Sequence, residues 1–229
     1  MKIASYNIRK CVGLDRKRDP NRTLSVINTV PADIMALQEV DKRLGKRPAA
    51  LPVDKIETQT GMVPLDLGKS GPSMGWHGNA LLVKPDIAIA DIECLNLPGL
   101  EPRGAIILDV AISDNAPLRL VAVHLGLMRG NRKSQLKYLL DALANRPQQP
   151  SVIMGDFNEW SQTKGLGRLA GEFDFLTPGN SFHAAWPVAK LDRFALSKEL
   201  LVKDAGVIEK GQARKASDHL PIWAEIEHS

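Results

Sequence analysis

The chain has 229 residues, 44% of them hydrophobic and 24% charged, which suits one large α/β domain spanning 1–229 and leaves too little for two. Its apolar runs are strand-sized, which excludes a membrane-spanning helix, and residues 1–6 lack the apolar core of a signal peptide, so a cytoplasmic monomer is expected. Cys11 and Cys94 give no disulfide framework and read as ordinary thiols in a reducing compartment.

In chain order, residues 2–8 alternate as a strand. Residues 22–30 read as a short helix with Asn21 or Thr23 near its start, and 34–37 as a short buried strand ending at Gln38-Glu39. Residues 51–60 suit a helix and 62–67 a strand, and 68–78 form a Gly/Ser/Pro loop holding Trp76 and His77. Residues 80–84 and 87–95 look like a strand pair joined at Pro85-Asp86; 105–113 and 118–124 look like a second, turned at Asp114-Asn115. Residues 131–144 are the clearest amphipathic helix, with Leu136, Leu139, Leu140 and Leu143 on one face. A buried strand at 151–154, a helix at 166–172 and strands at 191–196, 201–208 and 221–226 complete the set. Hairpins with interspersed helices indicate an α/β sandwich of mostly antiparallel sheets, helices outside. Many connections are too short for parallel crossovers. No Gly-x-Gly-x-x-Gly or Walker-type loop supports a nucleotide-cofactor fold.

Chemistry-bearing residues gather where the apolar runs end. Glu39 follows one of them, and a carboxylate there suits Mg²⁺, which prefers oxygen donors. Asn7 ends the first strand; its amide suits a metal-linked water or a phosphate oxygen, or it simply forms a turn. Asp156 and Asn158 flank Phe157, so a carboxylate and an amide face one side, suited to hold an attacking water and a phosphoryl oxygen; the plain alternative is an Asx turn. Asp218-His219 sets a metal-binding or orienting carboxylate beside an imidazole able to stabilise charge building on phosphate. Asp192 is placed to hold that imidazole's far nitrogen. His124 ends another strand and is a second candidate for phosphate contact, and Arg103 is a candidate clamp. The five histidines lack zinc spacing, and Ser5, Ser217 and Cys11 lack a nucleophile-elbow setting, which disfavours a covalent hydrolase.

The net charge is only +4, but basic residues cluster after the same strands: Arg9, Lys10, Arg16, Lys17, Arg18 and Arg22, then Lys42, Arg43, Lys46 and Arg47, then Arg129, Arg132 and Lys133. They form either ordinary solvated loops or a positive rim that attracts a phosphate-bearing substrate. Trp76 and Trp160 either pack partly into the core or touch a base or a lipid edge.

Tyr6-Asn7-Ile8, Leu37-Gln38-Glu39, Gly78-Asn79-Ala80, Arg103-Gly104, Val123-His124-Leu125, Gly155-Asp156-Phe157-Asn158, Leu191-Asp192-Arg193 and Ser217-Asp218-His219-Leu220-Pro221 occur in this order. This ordered set resembles the endonuclease/exonuclease/phosphatase (DNase I-like) superfamily, most closely its small intracellular bacterial members. The resemblance implies a four-layer α/β/β/α sandwich with the site at one rim of two packed sheets. It implies Mg²⁺ or Mn²⁺ held by Glu39 with Asn7 and Asp218. Asp156 would position or deprotonate water, Asn158 and His124 would hold phosphate, and His219, oriented by Asp192, would stabilise the transition state. Asn7, Arg103 and Asn79 are the expected substrate contacts. Arg9 stands where the apurinic endonucleases carry an acid, which disfavours that branch. Arg193 stands where many relatives have tyrosine, either altering specificity or merely packing. The secreted sphingomyelinases carry membrane-inserting aromatic loops, and the few Phe and Tyr here suggest no such loop.

The expected activity is a divalent-metal-dependent phosphoesterase, foremost a phosphodiester hydrolase acting by in-line attack of water on nucleic acid, a phospholipid head group or a small phosphodiester. The alternatives are a phosphomonoesterase of the same superfamily and a non-catalytic polyanion-binding module on the same fold.

Overall fold

The structure, a computed structural model, describes residues 1–42, 45–68, 71–111, 116–161 and 165–229. The strands in chain order are β1 (Lys2–Asn7), β2 (Ile34–Gln38), β3 (Val63–Pro64), β4 (Ala80–Val83), β5 (Ile89–Leu97), β6 (Arg103–Ala111), β7 (Pro117–His124), β8 (Ser151–Asp156), β9 (Asp174–Leu176), β10 (Asp192–Leu196), β11 (Leu200–Val207) and β12 (Ile222–His228). The helices are α1 (Pro20–Ile27), α2 (Val53–Thr60), α3 (Arg129–Ala144), α4 (Leu169–Glu172) and α5 (Ala213–Ala216). The strands form two six-stranded sheets, ordered β11-β12-β1-β2-β4-β3 and β5-β6-β7-β8-β10-β9.

Three apolar layers hold the sandwich together. Between the sheets lie Ile3, Ile34, Leu81, Ile106, Leu120, Met154 and Phe194 among others. Leu24, Ile27 and Ile56 of α1 and α2 cover the first sheet against Tyr6, Met35 and Leu37. Leu136, Leu139, Leu140 and Leu143 of α3 cover the second against Ile107, Val121 and Ile153. With both faces covered, the central strands β1, β2 and β8 are buried at almost every position rather than at alternate ones.

Each sheet is mixed. β1 pairs with β2 in parallel and β7 with β8 in parallel, the remaining pairings being antiparallel. The C-terminal ends of these four parallel strands and the starts of β4, β6, β10 and β12 therefore share one edge. The ordered motifs converge there.

The hairpin expected at Pro85-Asp86 is not formed. β4 pairs with β2 and β3 in the first sheet, whereas β5 pairs with β6 in the second. All four residues of β4 are buried, while much of β5 is exposed as an edge strand. Lys84 Nζ, 2.7 Å from Asp33 Oδ1, ties the end of β4 to the start of β2, and half-buried Ile87 turns into the inter-sheet core. Pro85-Asp86 is thus a crossover between sheets. α1 starts earlier than residues 22–30 suggest: Asp19 caps it by accepting from Arg22 N at 3.0 Å, with Pro20 in the first turn. The strand expected over 62–67 contracts to β3. The short elements β9 and α5 were not anticipated. The expected turn at Asp114-Asn115, residues 69 and 70 of the 68–78 loop, and Arg43 of the second basic cluster lie outside the described residues.

Candidate active site

Asp156 is the centre of the convergent edge. It ends β8, is 1% exposed, and is opposite His124 in the parallel register and Asp192 in the antiparallel one. Its Oδ2 accepts a hydrogen bond from Asn7 Nδ2 at 3.1 Å and lies 3.5 Å from His124 Nε2 and 3.6 Å from His219 Nε2. Its Oδ1 accepts from Asn158 N at 2.9 Å. That last bond closes an Asx turn, so the turn and the convergence on Asp156 coexist. Gly155 makes the geometry possible: a Cβ there would sit 1.9 Å from Val123 O.

His219 lies on the other side. Its Nδ1 is 2.8 Å from Asp192 Oδ2, which also accepts from Ser181 Oγ at 2.5 Å. The Phe182 ring, 5.0 Å away between centroids, packs against the imidazole. Burial works against a charge on His219, but the Asp192 and Asp156 carboxylates outweigh it and raise its pKa to about 9. Burial pushes His124 the other way, down to about 3, with Asp156 opposing and Arg103, His219 and Lys10 adding to the fall. One imidazolium and one neutral imidazole therefore flank the same carboxylate at neutral pH.

The remaining sequence-predicted residues fall around this centre. Asn7 Oδ1 accepts from Arg9 N at 3.1 Å, and Arg9 Nε lies 3.2 Å from Asp218 Oδ2. Ser217 Oγ donates to Asn7 O at 2.7 Å, pinning the end of β1 to the segment before β12. Asn158 donates its side-chain amide to Leu125 O at 2.9 Å. Arg103 is held by Glu101, with Nη2 to Oε2 at 2.6 Å. Asn79 is fully buried and donates to Gly104 O at 3.0 Å, its Oδ1 having no hydrogen-bond partner.

Glu39 follows β2 in a left-handed conformation, φ 57°, and Lys10 follows β1 in another, φ 58°. Such φ values are sparsely populated by non-glycine residues and concentrate at functional sites. Lys10 N donates to Glu39 O at 3.0 Å, and the Lys10 ammonium is ion-paired with Glu39 Oε2. That oxygen is buried and accepts no regular hydrogen bond. A buried anionic oxygen already paired with a cation fits a hard divalent ion. The ligand atoms of Asp156, Asp192 and His219 also lie within 4.8 Å of one another. His219 Nδ1 and Asp192 Oδ2, however, are already engaged with each other, and Asp192 Oδ2 also accepts from Ser181. A cleft of about 370 Å³ opens beside Glu39, lined by Lys10, Arg47, His77, Arg103 and His124 among others.

Sequence reasoning missed Lys10, Ser181 and Phe182 as neighbours of the site. Ser217 stood inside a motif that signalled only Asp218 and His219. Ser181-Phe182 precedes Asp192 with no recognisable spacing. Arg193 faces away from the site: its guanidinium donates to Lys190 O and Ser161 O, each at 2.9 Å, and to Glu159 O. It packs, and it fixes the loop after Asn158.

The layered sandwich thus brings the ordered motifs to one sheet edge. The chain belongs to the Endonuclease/Exonuclease/phosphatase family, whose model matches residues 4–219. Among solved structures it is similar to a conserved protein of unknown function from Enterococcus faecalis, at 22% identity and TM-score 0.80 over 100% of both chains. It is similar to mannosyl-6-phosphatase Bt3783 of Bacteroides thetaiotaomicron, at 16% identity and TM-score 0.76 over 99% of both. It is also similar to D. rerio TDP2 complexed with a single-strand DNA product, at 17% identity and TM-score 0.76 over 99% of this chain and 98% of that one. No curated protein sequence matches the chain.

Proposed function

We propose that the protein is a divalent-metal-dependent phosphodiester hydrolase. The observation that carries this reading is the placement of Asp156: a buried carboxylate fixed by Asn7 and Asn158, with two imidazoles of opposite charge state 3.5 and 3.6 Å from one oxygen. A carboxylate so held can orient a water and take its proton. Cationic His219, steered by Asp192 and Ser181, is ready to stabilise the negative charge that grows on the phosphoryl group. Neutral His124 can hydrogen-bond a phosphoryl oxygen without competing for the proton. Glu39, with Asn7 and Asp218, would hold the Mg²⁺ or Mn²⁺, which when bound supplies Lewis-acid polarisation of the phosphoryl oxygen. Arg103, oriented by Glu101, lines the cleft beside Glu39, while buried Asn79 holds the neighbouring Gly104 O rather than meeting the cleft.

The test is hydrolysis of bis(p-nitrophenyl) phosphate and p-nitrophenyl phosphate with Mg²⁺, Mn²⁺ or EDTA, beside His219→Ala and Glu39→Ala. Metal-dependent diester cleavage lost in both variants supports the reading. Monoester cleavage alone would move it to a phosphomonoesterase. Normal turnover by Glu39→Ala would remove the metal assignment. Salt-sensitive polyanion binding without turnover would identify a binding module.

A further inference from the structure

The rim around the site is divided by chemistry. On the second-sheet side, six large apolar residues stand in solvent: Leu100, Leu127, Met128, Trp160, Trp186 and Val188, with Leu100 84%, Trp186 80% and Leu127 66% exposed. They come from four loops at the catalytic edge, and side-chain and backbone contacts join those loops into one arc. Leu127 N donates to Glu101 Oε1 at 3.3 Å, linking the loop after His124 to the loop carrying Leu100. Arg129 and Arg132 reach Glu159 at 3.6 and 2.7 Å, linking Met128 to Trp160. The Trp160 and Phe182 rings lie 6.1 Å apart, linking Trp160 to the loop of Trp186 and Val188. Phe182 itself touches His219, so the arc borders the reacting centre. On the first-sheet side, the loops after β1 and β2 expose Arg16, Lys17, Arg18 and Lys46, and Arg129 and Lys133 are exposed beside the apolar arc.

Large apolar side chains clustered in water mark a surface that is covered in use. An apolar arc with Arg129 and Lys133 beside it and a basic half-rim facing it matches a bilayer whose interface is apolar just below an anionic surface. We propose that this rim docks the protein on an anionic lipid bilayer, so that the catalytic edge faces the head groups. A single-stranded nucleic acid would explain the bases, but it needs successive aromatic faces for stacking. Four of the six exposed residues are aliphatic, and the two tryptophans stand on separate loops.

Docking is read without turnover, so its failure and the failure of the hydrolase reading are separate results. The full-length protein is co-sedimented with phosphatidylcholine vesicles with and without phosphatidylglycerol. Binding only to the anionic vesicles, weakening with salt and shifting tryptophan emission to the blue, is expected. A Leu127→Ser/Trp186→Ser double variant, both positions solvent-exposed, should lose about tenfold or more in partitioning. An Arg16→Ala/Lys17→Ala variant should lose about fivefold for each basic residue. Absence of sedimentation with anionic vesicles, or binding indifferent to the Leu127/Trp186 variant, would overturn the proposal. So would a stable dimer in sedimentation equilibrium that the same variant dissolves, or tight oligothymidine binding that it abolishes.

Discussion

Two buried clusters of charge lie back to back beyond the end of β8, and they are built on opposite principles. Around Glu159 the carboxylate's own demand for partners is met, although the buried Arg132 Nε has no hydrogen-bond partner. One carboxylate oxygen takes Arg132 at 2.7 Å and the other accepts from Ser161 N at 3.0 Å, while Arg193 spends its guanidinium on three backbone carbonyls. Burial works to raise the Glu159 pKa, yet these donors hold it below the usual carboxylate range. Around Asp156 capacity is left over: two imidazole nitrogens approach without closing to hydrogen-bond distance, and Asp192 Oδ1 has no hydrogen-bond partner. Burial of charge alone therefore does not separate a scaffold from a reaction centre. Unused capacity on the carboxylates themselves does, because a substrate can only bind to what the protein has not already satisfied.

That contrast can be broken by exchanging the roles of the two clusters. Asp156→Asn should lower kcat/KM on a diester by about 10³-fold while the urea midpoint stays unchanged; a large loss of stability would make Asp156 structural after all. Glu159→Gln should do the reverse, destabilising the fold by about 3 kcal/mol in urea titrations, with activity per folded molecule largely kept. Asp192→Asn should sit between, lowering kcat by about 10²-fold with little change in KM, because it acts through the orientation and charge of His219.

Proton titration sharpens the same comparison. His219 has a folded pKa of about 9 against an ordinary 6.5, so its contribution to stability is full below about 6.5 and is lost as pH rises through 9. His124, at about 3, contributes in the opposite sense: its stabilisation is present above about 6.5 and is lost as pH falls towards 3. Nitrogen-15 NMR of the metal-free protein at pH 7.5 should show one imidazolium and one neutral ring for these residues. The smallest effect concerns Lys10. If its ammonium competes for Glu39, Lys10→Met should tighten Mn²⁺ binding about fivefold in calorimetry, and weaker binding would make Lys10 a support for the ligand rather than a competitor.

The sequence was most legible where one strand end carried one motif. Asp156, Asp192, His124 and His219 each stood beside an apolar run, and the structure brings them together through strand register. The pairing at Pro85-Asp86 was misread because strand length and a Pro-Asp turn look the same in a hairpin and in a sheet crossover; only burial on both faces of β4 tells them apart. Ser181 and Phe182, and the pairing of Lys10 (read only as part of the basic rim) with Glu39, were not legible for another reason. Their placement depends on loop conformations, such as the left-handed run at Arg9, Lys10 and Cys11, that carry no hydrophobic period. The exposed arc around Trp186 was hidden likewise, since exposure of a loop tryptophan is decided by what packs beside it. The few aromatic residues argued against a membrane-facing loop, but aliphatic residues form most of that arc.

β1 and β12 lie side by side, and Ser217, just ahead of β12, hydrogen-bonds Asn7 across a sequence separation of 210 residues. During translation, the first strand must therefore wait for nearly the last one. A nascent chain that ends before Ser217 has Glu39, His124 and Asp156 in hand but neither His219 nor the bond that seats Asn7.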